Sequence, residues 1–206
     1  MPLAFWNQLK FEVPEGVYHP AEDTYLSLDF LAEQISSDNP SRMCELGCGS
    51  GIIGISLAIL NPQSEVILAD INPLAVTTTE VNARRHNIRN RIAILESNLF
   101  EKIPQEQKFD WIIFNPPYLP ASGELESTAL REQTEGGESG LKIIRQFLVK
   151  LPTFLKKAGK AFFIASSLSS LSELESISEK MYLLLERKKS IHLFFEDIIL
   201  FEVTCI

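Results

Sequence analysis

Apolar and polar positions along the chain switch repeatedly between the periods of strands and helices. Residues 1–20 are irregular except for Leu9-Lys-Phe-Glu-Val13, which alternates like a short strand before the turn Pro14-Glu-Gly16. Thr24, Leu28, Leu31 and Ile35 then recur at helical spacing. Pro20 and an acidic first turn mark the start of that helix, which ends near Ser36, and 36–40 reads as a loop. From residue 42 an α/β alternation begins. Strands are predicted over 42–46, 65–70, 91–96 and 109–114, with helices to about Leu60 and over 73–86. A helix over 141–156 places Ile144, Phe147, Leu148 and Leu151 on one face and stops at Gly159, and a fifth strand covers 160–165. Ser170-Leu-Ser-Glu173 reads as a capping box opening a helix to about Met181. Two β-like runs, about 182–190 and 193–204, have too little between them for a helix and predict an antiparallel pair. Strand–helix–strand repetition at this spacing gives parallel strands with right-handed crossovers. The predicted fold is therefore α/β: five parallel strands plus a C-terminal antiparallel hairpin, with helices on both faces. It forms one domain over 1–206, in which 1–40 is an N-terminal extension whose helix covers the ligand end of a core over 41–206.

Composition narrows the function classes. A 206-residue chain with 45% hydrophobic and 22% charged residues is an ordinary globular domain with room for a sizeable core. The net charge of −8 favours a cationic protein surface as partner over bare DNA or RNA, so no direct nucleic-acid binding is expected. Cys44, Cys48 and Cys205 form no CxxC pair and read as packing residues in a reducing cytoplasm, without a metal site. No stretch has the length of a membrane span or the pattern of a signal peptide. His86 and His192 stand away from the motifs and read as surface or structural residues.

Two motifs carry chemistry. The apolar run 109–114 reads as a buried strand that stops at Asn115-Pro-Pro-Tyr118. Two prolines remove two backbone donors and force an extended exit, which fixes Asn115 and exposes carbonyls. A carboxamide oxygen and a backbone carbonyl can together hold the hydrogens of a planar NH2 group, and Tyr118 supplies an aromatic face. Upstream, Cys44-Glu-Leu-Gly-Cys-Gly-Ser-Gly-Ile-Ile-Gly54 joins the first parallel strand to its helix. Gly49-Ser-Gly-Ile-Ile-Gly54 fits the dinucleotide pattern GxGxxG, with Asp70 placed to bind ribose hydroxyls. A nicotinamide dinucleotide is thus one candidate. Glu45, however, puts a carboxylate where a pyrophosphate would be repelled and a cationic amino-acid group attracted. S-adenosylmethionine fits the three strand ends better.

Glu45-Leu-Gly-Cys-Gly-Ser-Gly51, Asp70-Ile-Asn-Pro73 and Asn115-Pro-Pro-Tyr118 resemble the class I S-adenosylmethionine-dependent methyltransferases that modify planar amines and amides. Gly16-Val-Tyr-His-Pro-Ala-Glu-Asp-Thr24, Gly136-Gly-Glu-Ser-Gly140 and Leu193-Phe-Phe-Glu-Asp-Ile-Ile-Leu200 narrow the resemblance. They point to the HemK-type protein-(glutamine-N5) methyltransferases, in the short archaeal and eukaryotic branch acting on class I translation termination factors. The resemblance implies methylation of the glutamine in a Gly-Gly-Gln loop of the release factor, with S-adenosylhomocysteine as the product. It implies cofactor contacts from Glu22, Thr24, Glu45, Gly47, Cys48, Gly49, Gly51, Asp70, Ile71, Asn98, Leu99 and Asn115. Asn115, Pro116, Pro117 and Tyr118 would hold the substrate amide, with Asn115, Pro116 and Tyr118 catalytic. It further implies a heterodimer with a small zinc-binding activator subunit and the lack of the helical N-terminal domain of bacterial enzymes. If the strand over 91–95 lies at the sheet edge, it is short and apolar enough to invite a partner.

The chain departs from the family pattern at His19, at Asn98, where Asp usually contacts the adenine amino group, and at Thr134-Glu135. Asn98 can still accept that hydrogen bond through its side-chain oxygen. The loop over 119–140, with Glu124, Glu126, Glu132, Glu135 and Glu138, is expected to be an acidic lid suited to a basic protein substrate. Rival readings are methylation of an adenine or guanine amino group in nucleic acid, of a lysine in another protein, or a cofactor-binding scaffold without turnover.

Overall fold

The computed structural model describes residues 2–119 and 139–206. The stretch over 119–140 expected to be an acidic lid lies, except for 119, 139 and 140, outside the described residues, as does the Thr134-Glu135 departure. A short antiparallel hairpin, β1 (Leu3–Trp6) and β2 (Leu9–Glu12), precedes helix α1 (Glu22–Asp38). The core then runs β3 (Arg42–Leu46), α2 (Ile52–Leu60), β4 (Glu65–Asp70), α3 (Pro73–Arg85), β5 (Ile92–Glu96) and β6 (Phe109–Phe114). It continues through α4 (Lys142–Phe154), β7 (Leu155–Ser166), α5 (Leu171–Lys180), β8 (Leu183–Leu193) and β9 (Glu196–Cys205).

Seven strands form one sheet in the order β5-β4-β3-β6-β7-β9-β8. The first five are mutually parallel and β8 pairs antiparallel with β9, as the pattern predicts; that β9, and not β8, lies next to β7 is a finding of the structure. Strands covered on both faces alternate their side chains between two cores. Trp111 and Ile113 of β6, with Phe162 and Ile164 of β7, face one cluster with residues of α1, α2 and the N-terminal hairpin. Ile112 and Phe114, with Phe163 and Ala165, face the other, against Ile144, Phe147, Leu148 and Leu151 of α4. The chain leaves β3 toward β4 and β5 on one side, then returns to pair β6 on the other. The exits of β3 and β6 therefore flank the point where strand order reverses, which is where open α/β sheets bind ligands.

Four expectations need correction. Residues 3–6 form a strand that the irregular N-terminal stretch concealed. Helix α4 ends at Phe154, two residues after Pro152, and β7 begins at once with Leu155. Gly159 consequently lies inside the strand, at a register shift between Phe109 and Trp111, and does not stop a helix. A Cβ there would sit 2.8 Å from the Phe109 carbonyl oxygen, so close backbone approach is what demands glycine. At the start of α5, Ser170 makes no side-chain cap, and Glu173 bonds Arg145 of α4 at 2.5 Å instead of closing a box.

Candidate active site

Three strand ends meet at a cavity of about 560 Å³. At the exit of β3, Gly49 adopts φ 55°, and a Cβ there would meet nothing within 4 Å, so the backbone itself forms the cavity wall. Its amide donates to Asp70 Oδ2 at 2.8 Å, while Asp70 Oδ1 accepts from the Asn72 amide at 2.8 Å. Further into the loop, Gly54 permits α2 to sit on β4, since a Cβ would fall 2.2 Å from Leu68. The Gly54 amide donates to Glu45 Oε2 at 2.9 Å. Asn82 of α3 locks this loop to the N-terminal hairpin, bonding the Ser50 carbonyl at 2.9 Å and both backbone groups of Glu12. Beyond β5, Asn98 and Leu99 line the adjoining wall, with Leu99 at φ 49°. Asn98 is exposed and donates its amide to Glu101 at 3.1 Å. Ile71, 66% exposed, stands at the rim.

The cavity's charge is its most informative property. Asp23, Glu45 and Asp70 line it, and none of its described lining residues is Lys, Arg or His. Burial pushes the Glu45 carboxyl up to about 8, against the opposing pull of the Gly54 amide. Asp70 is likewise raised, by burial, despite its bonds to the Asn72 and Gly49 amides. A pyrophosphate would need loop amides and a helix N-terminus free to receive it. Here the Gly49 amide is held by Asp70 and that of Gly54 by Glu45, so two amides of the glycine motif are already taken by carboxylates, which disfavours the dinucleotide candidate. The arrangement suits a ligand that is positively charged and carries hydroxyls.

Asp23 organises the end of the cavity at the exit of β6. This carboxylate is 3% exposed, and its Oδ2 accepts from Tyr18 Oη at 3.0 Å, Asn115 Nδ2 at 3.0 Å and Tyr118 Oη at 3.2 Å. Oδ1 takes the Thr24 amide and hydroxyl at 2.5 and 3.1 Å. Burial and the Asp23 charge push both phenols upward, so each remains a protonated donor. Because the Asn115 nitrogen is held by Asp23 and Thr24, its Oδ1 turns the other way, buried and without a hydrogen-bond partner among the described residues. A buried acceptor left unpaired costs about 1–3 kcal/mol, which an arriving N–H group recovers.

The structure gathers most of the residues singled out from the sequence around this cavity. Thr24, Glu45, Gly47, Cys48, Gly49, Asp70, Ile71, Asn98, Leu99 and Asn115 to Tyr118 line it. Glu45 lies on its buried floor, being 3% exposed. Gly51 lies just behind, as the N-cap of α2. Glu22 does not join the cavity lining: it points outward from the first turn of α1, exposed, and Asp23 stands inside in its place. His19 is also outside the lining and bonds the Pro20 carbonyl through Nδ1. Sequence reasoning missed Asp23, Tyr18 and Ser50.

A seven-stranded sheet of this order, with its ligand cavity at the carboxyl ends of the parallel strands, is the class I methyltransferase fold. The E. cuniculi Mtq2–Trm112 complex, described as responsible for methylating the eRF1 translation termination factor, superposes with a TM-score of 0.70 at 20% identity. The match covers 93% of this chain and 99% of that one. The Methyltransferase small domain profile matches residues 9–190. A Methanocaldococcus jannaschii protein assigned as a protein N5-glutamine methyltransferase is 37% identical over 166 residues, 80% of each chain. The release factor glutamine methyltransferase of Clostridium botulinum is 37% identical over 112 residues, which is 54% of this chain and 40% of that one. The chain belongs to the Methyltransferase small domain family, in the branch of protein and release factor glutamine methyltransferases that its motifs resemble. It spans most of the archaeal relative and less than half of the clostridial one.

Proposed function

We propose that this protein transfers a methyl group from S-adenosylmethionine to the side-chain nitrogen of glutamine in the Gly-Gly-Gln loop of a class I release factor. The observation that carries this reading is the buried, unpartnered Asn115 Oδ1 on a strand exit lining an acidic cavity. The donor set fits the cofactor. Glu45 and the Gly47–Gly51 loop would hold its amino-acid end, Asp70 its ribose, and Asn98 with Leu99 its adenine. S-adenosylmethionine supplies a sulfonium methyl, an electrophile whose positive charge suits a cavity lined by Asp23, Asp70 and a Glu45 carboxyl that a cation would help to ionise.

An amide nitrogen is a poor nucleophile, because its lone pair is delocalised into the carbonyl. Asn115 Oδ1 and the Pro116 carbonyl each accept one N–H bond, which orients the nitrogen and supports positive charge as it develops. Transfer would form the carbon–nitrogen bond as the carbon–sulfur bond breaks, with S-adenosylhomocysteine leaving and the surplus amide proton passing to solvent. No dedicated base is required. Positioning and electrostatics carry the step.

We further propose that the protein works as a heterodimer with a small zinc-binding subunit. The resemblance implies such a partner, and the Mtq2 structure is of a two-protein complex. Strand β5, only five residues long, ends the sheet with one side unpaired among the described residues. One experiment tests both proposals: methyl transfer from labelled S-adenosylmethionine to intact release factor and to its Gly-Gly-Ala variant, with and without the subunit. The expected result is label on the glutamine form only, raised by the subunit and lowered about 100-fold in Asn115→Ala. Label on DNA, RNA or lysine in place of glutamine overturns the substrate, and equal activity without the subunit overturns the heterodimer.

A further inference from the structure

The β8–β9 hairpin ends in residues that neither packing nor turn geometry favours. Leu193 pairs with Glu196, leaving Phe194 and Phe195 as a two-residue turn. Both rings stand in solvent, 91% and 92% exposed. Turns of this length favour glycine, asparagine and aspartate. Phe194 nonetheless sits at φ 51°, a left-handed conformation that is costly for a bulky side chain. A small polar pair would satisfy the backbone and the solvent better. Two aromatic rings held there offer apolar surface to a second molecule.

The tip stands at the ligand end of the sheet. Strand β9 runs antiparallel to β7 and so begins beside its carboxyl end, with Ser166 opposite Ile198. Ser166 donates to the Glu196 carboxylate, and Ser167 exchanges hydrogen bonds with the Asp197 backbone at 2.8 Å each. Two residues further on, Ser169 Oγ donates to the Tyr118 carbonyl at 2.8 Å. Leu168, between these anchors, is 53% exposed. Glu196 is close enough to Tyr118 that its charge helps to push up the phenol. A short run of fixed contacts therefore links the exposed rings to the residue that closes the substrate end of the cavity.

Charge selects the occupant. Glu196 and Asp197 follow the tip directly, and His192 is held by Asp197 at 2.8 Å. The nearby cations are already paired, Lys188 with Glu186 and Glu202, and Lys189 with Glu33. An anionic membrane would be repelled, and a second copy of this chain would bring like carboxylates together. An apolar side chain flanked by lysine or arginine meets both features.

We propose that the Phe194-Phe195 tip docks the polypeptide that presents the methyl-accepting amide, through apolar and basic residues outside the loop entering the cavity. This rests on the glutamine-methylation reading above. The test compares the wild-type protein with Phe194→Gly/Phe195→Ser on two substrates, intact release factor and a short Gly-Gly-Gln peptide. Glycine suits the left-handed turn position, so thermal stability should hold or rise, and affinity for S-adenosylmethionine should be unchanged. The expected result is a loss of about ten-fold in kcat/KM on the intact factor, with the peptide rate unchanged. Equal kcat/KM on the intact factor overturns the docking surface while leaving the function standing. No transfer by wild type to either substrate overturns the function instead. Wild-type binding to phosphatidylserine vesicles, or dimerisation, that the variant loses would assign the tip to a membrane or to a second copy and overturn the proposal.

Discussion

Asp23 is the residue that sets the geometry of the cavity around Asn115 and Tyr118. One of its oxygens receives two phenols and the Asn115 nitrogen, and that nitrogen's capture decides which way the Asn115 oxygen points. Replacing Asp23 by asparagine turns one acceptor position into a donor and lets the Asn115 amide invert. Asp23→Asn should lower kcat by about 100-fold, the scale of a misplaced reacting group, with a smaller effect on KM for either substrate. Steady-state kinetics at fixed temperature check this, and an unchanged kcat would show that Asn115 is oriented by something else. The resemblance offered Glu22 and Thr24 here and passed over Asp23, and the residues alone do not separate two adjacent acids that the helix dipole favours equally in the first turn. A better signal was available. Phe30, Ser27 and Asp23 recur at helical spacing beside the Leu31–Leu28–Thr24 column, and all six are buried. Extending that stripe backwards places Asp23 inside and Glu22, a hundred degrees away, outside.

At the scale of elements, the sequence was most legible where periodicity and punctuation agree. The glycine loop, the Asn115-Pro-Pro exit and the succession of the five parallel strands along the chain follow from apolar runs punctuated by glycine and proline; their order within the sheet comes from the structure. It was least legible at the passage from α4 to β7. Leu155, Lys156 and Lys157 carry no strand pattern of their own, and Gly159 in a helical register reads as a stop. What overrides this is tertiary: Lys156 reaches Asp110 of β6 at 2.8 Å, and the backbone at 159 presses on the Phe109 carbonyl. Neither contact can be seen along the chain. A methyl group at 159 would meet that carbonyl at 2.8 Å and the Leu155 side chain at 3.0 Å. Gly159→Ala should therefore cost about 1–3 kcal/mol of stability by overpacking, read as a fall in Tm. Because the bulge lies at the end of the sheet remote from the cavity, kcat of the surviving folded enzyme should hold. An unchanged Tm would mean that β7 can shift away without loss.

For the whole molecule, the question is how a chain of net charge −8 keeps three carboxylates in one cavity. Part of the answer is that burial lifts Glu45 to about 8, so at neutral pH this group stays largely protonated in the folded protein. The unfolded chain ionises it near 4.5. Between 4.5 and about 8 the folded state therefore binds more protons than the unfolded state, and stability must fall as pH rises across that window. The contribution is complete below 4.5 and lost above about 8. Asp70 is shifted in the same direction by the same cause and adds to the trend. A cationic ligand reverses the preference, since its charge favours the ionised carboxyl. Binding of S-adenosylmethionine should then release a proton, and the rise in Tm that it produces should grow as pH increases toward 8. Calorimetric titration in buffers of different ionisation enthalpy measures the proton directly. Glu45→Gln should remove most of the release and flatten the loss of stability with pH. If the titration instead shows no proton leaving, Glu45 keeps one protonation state in the free and bound protein, and it does not answer the ligand's charge.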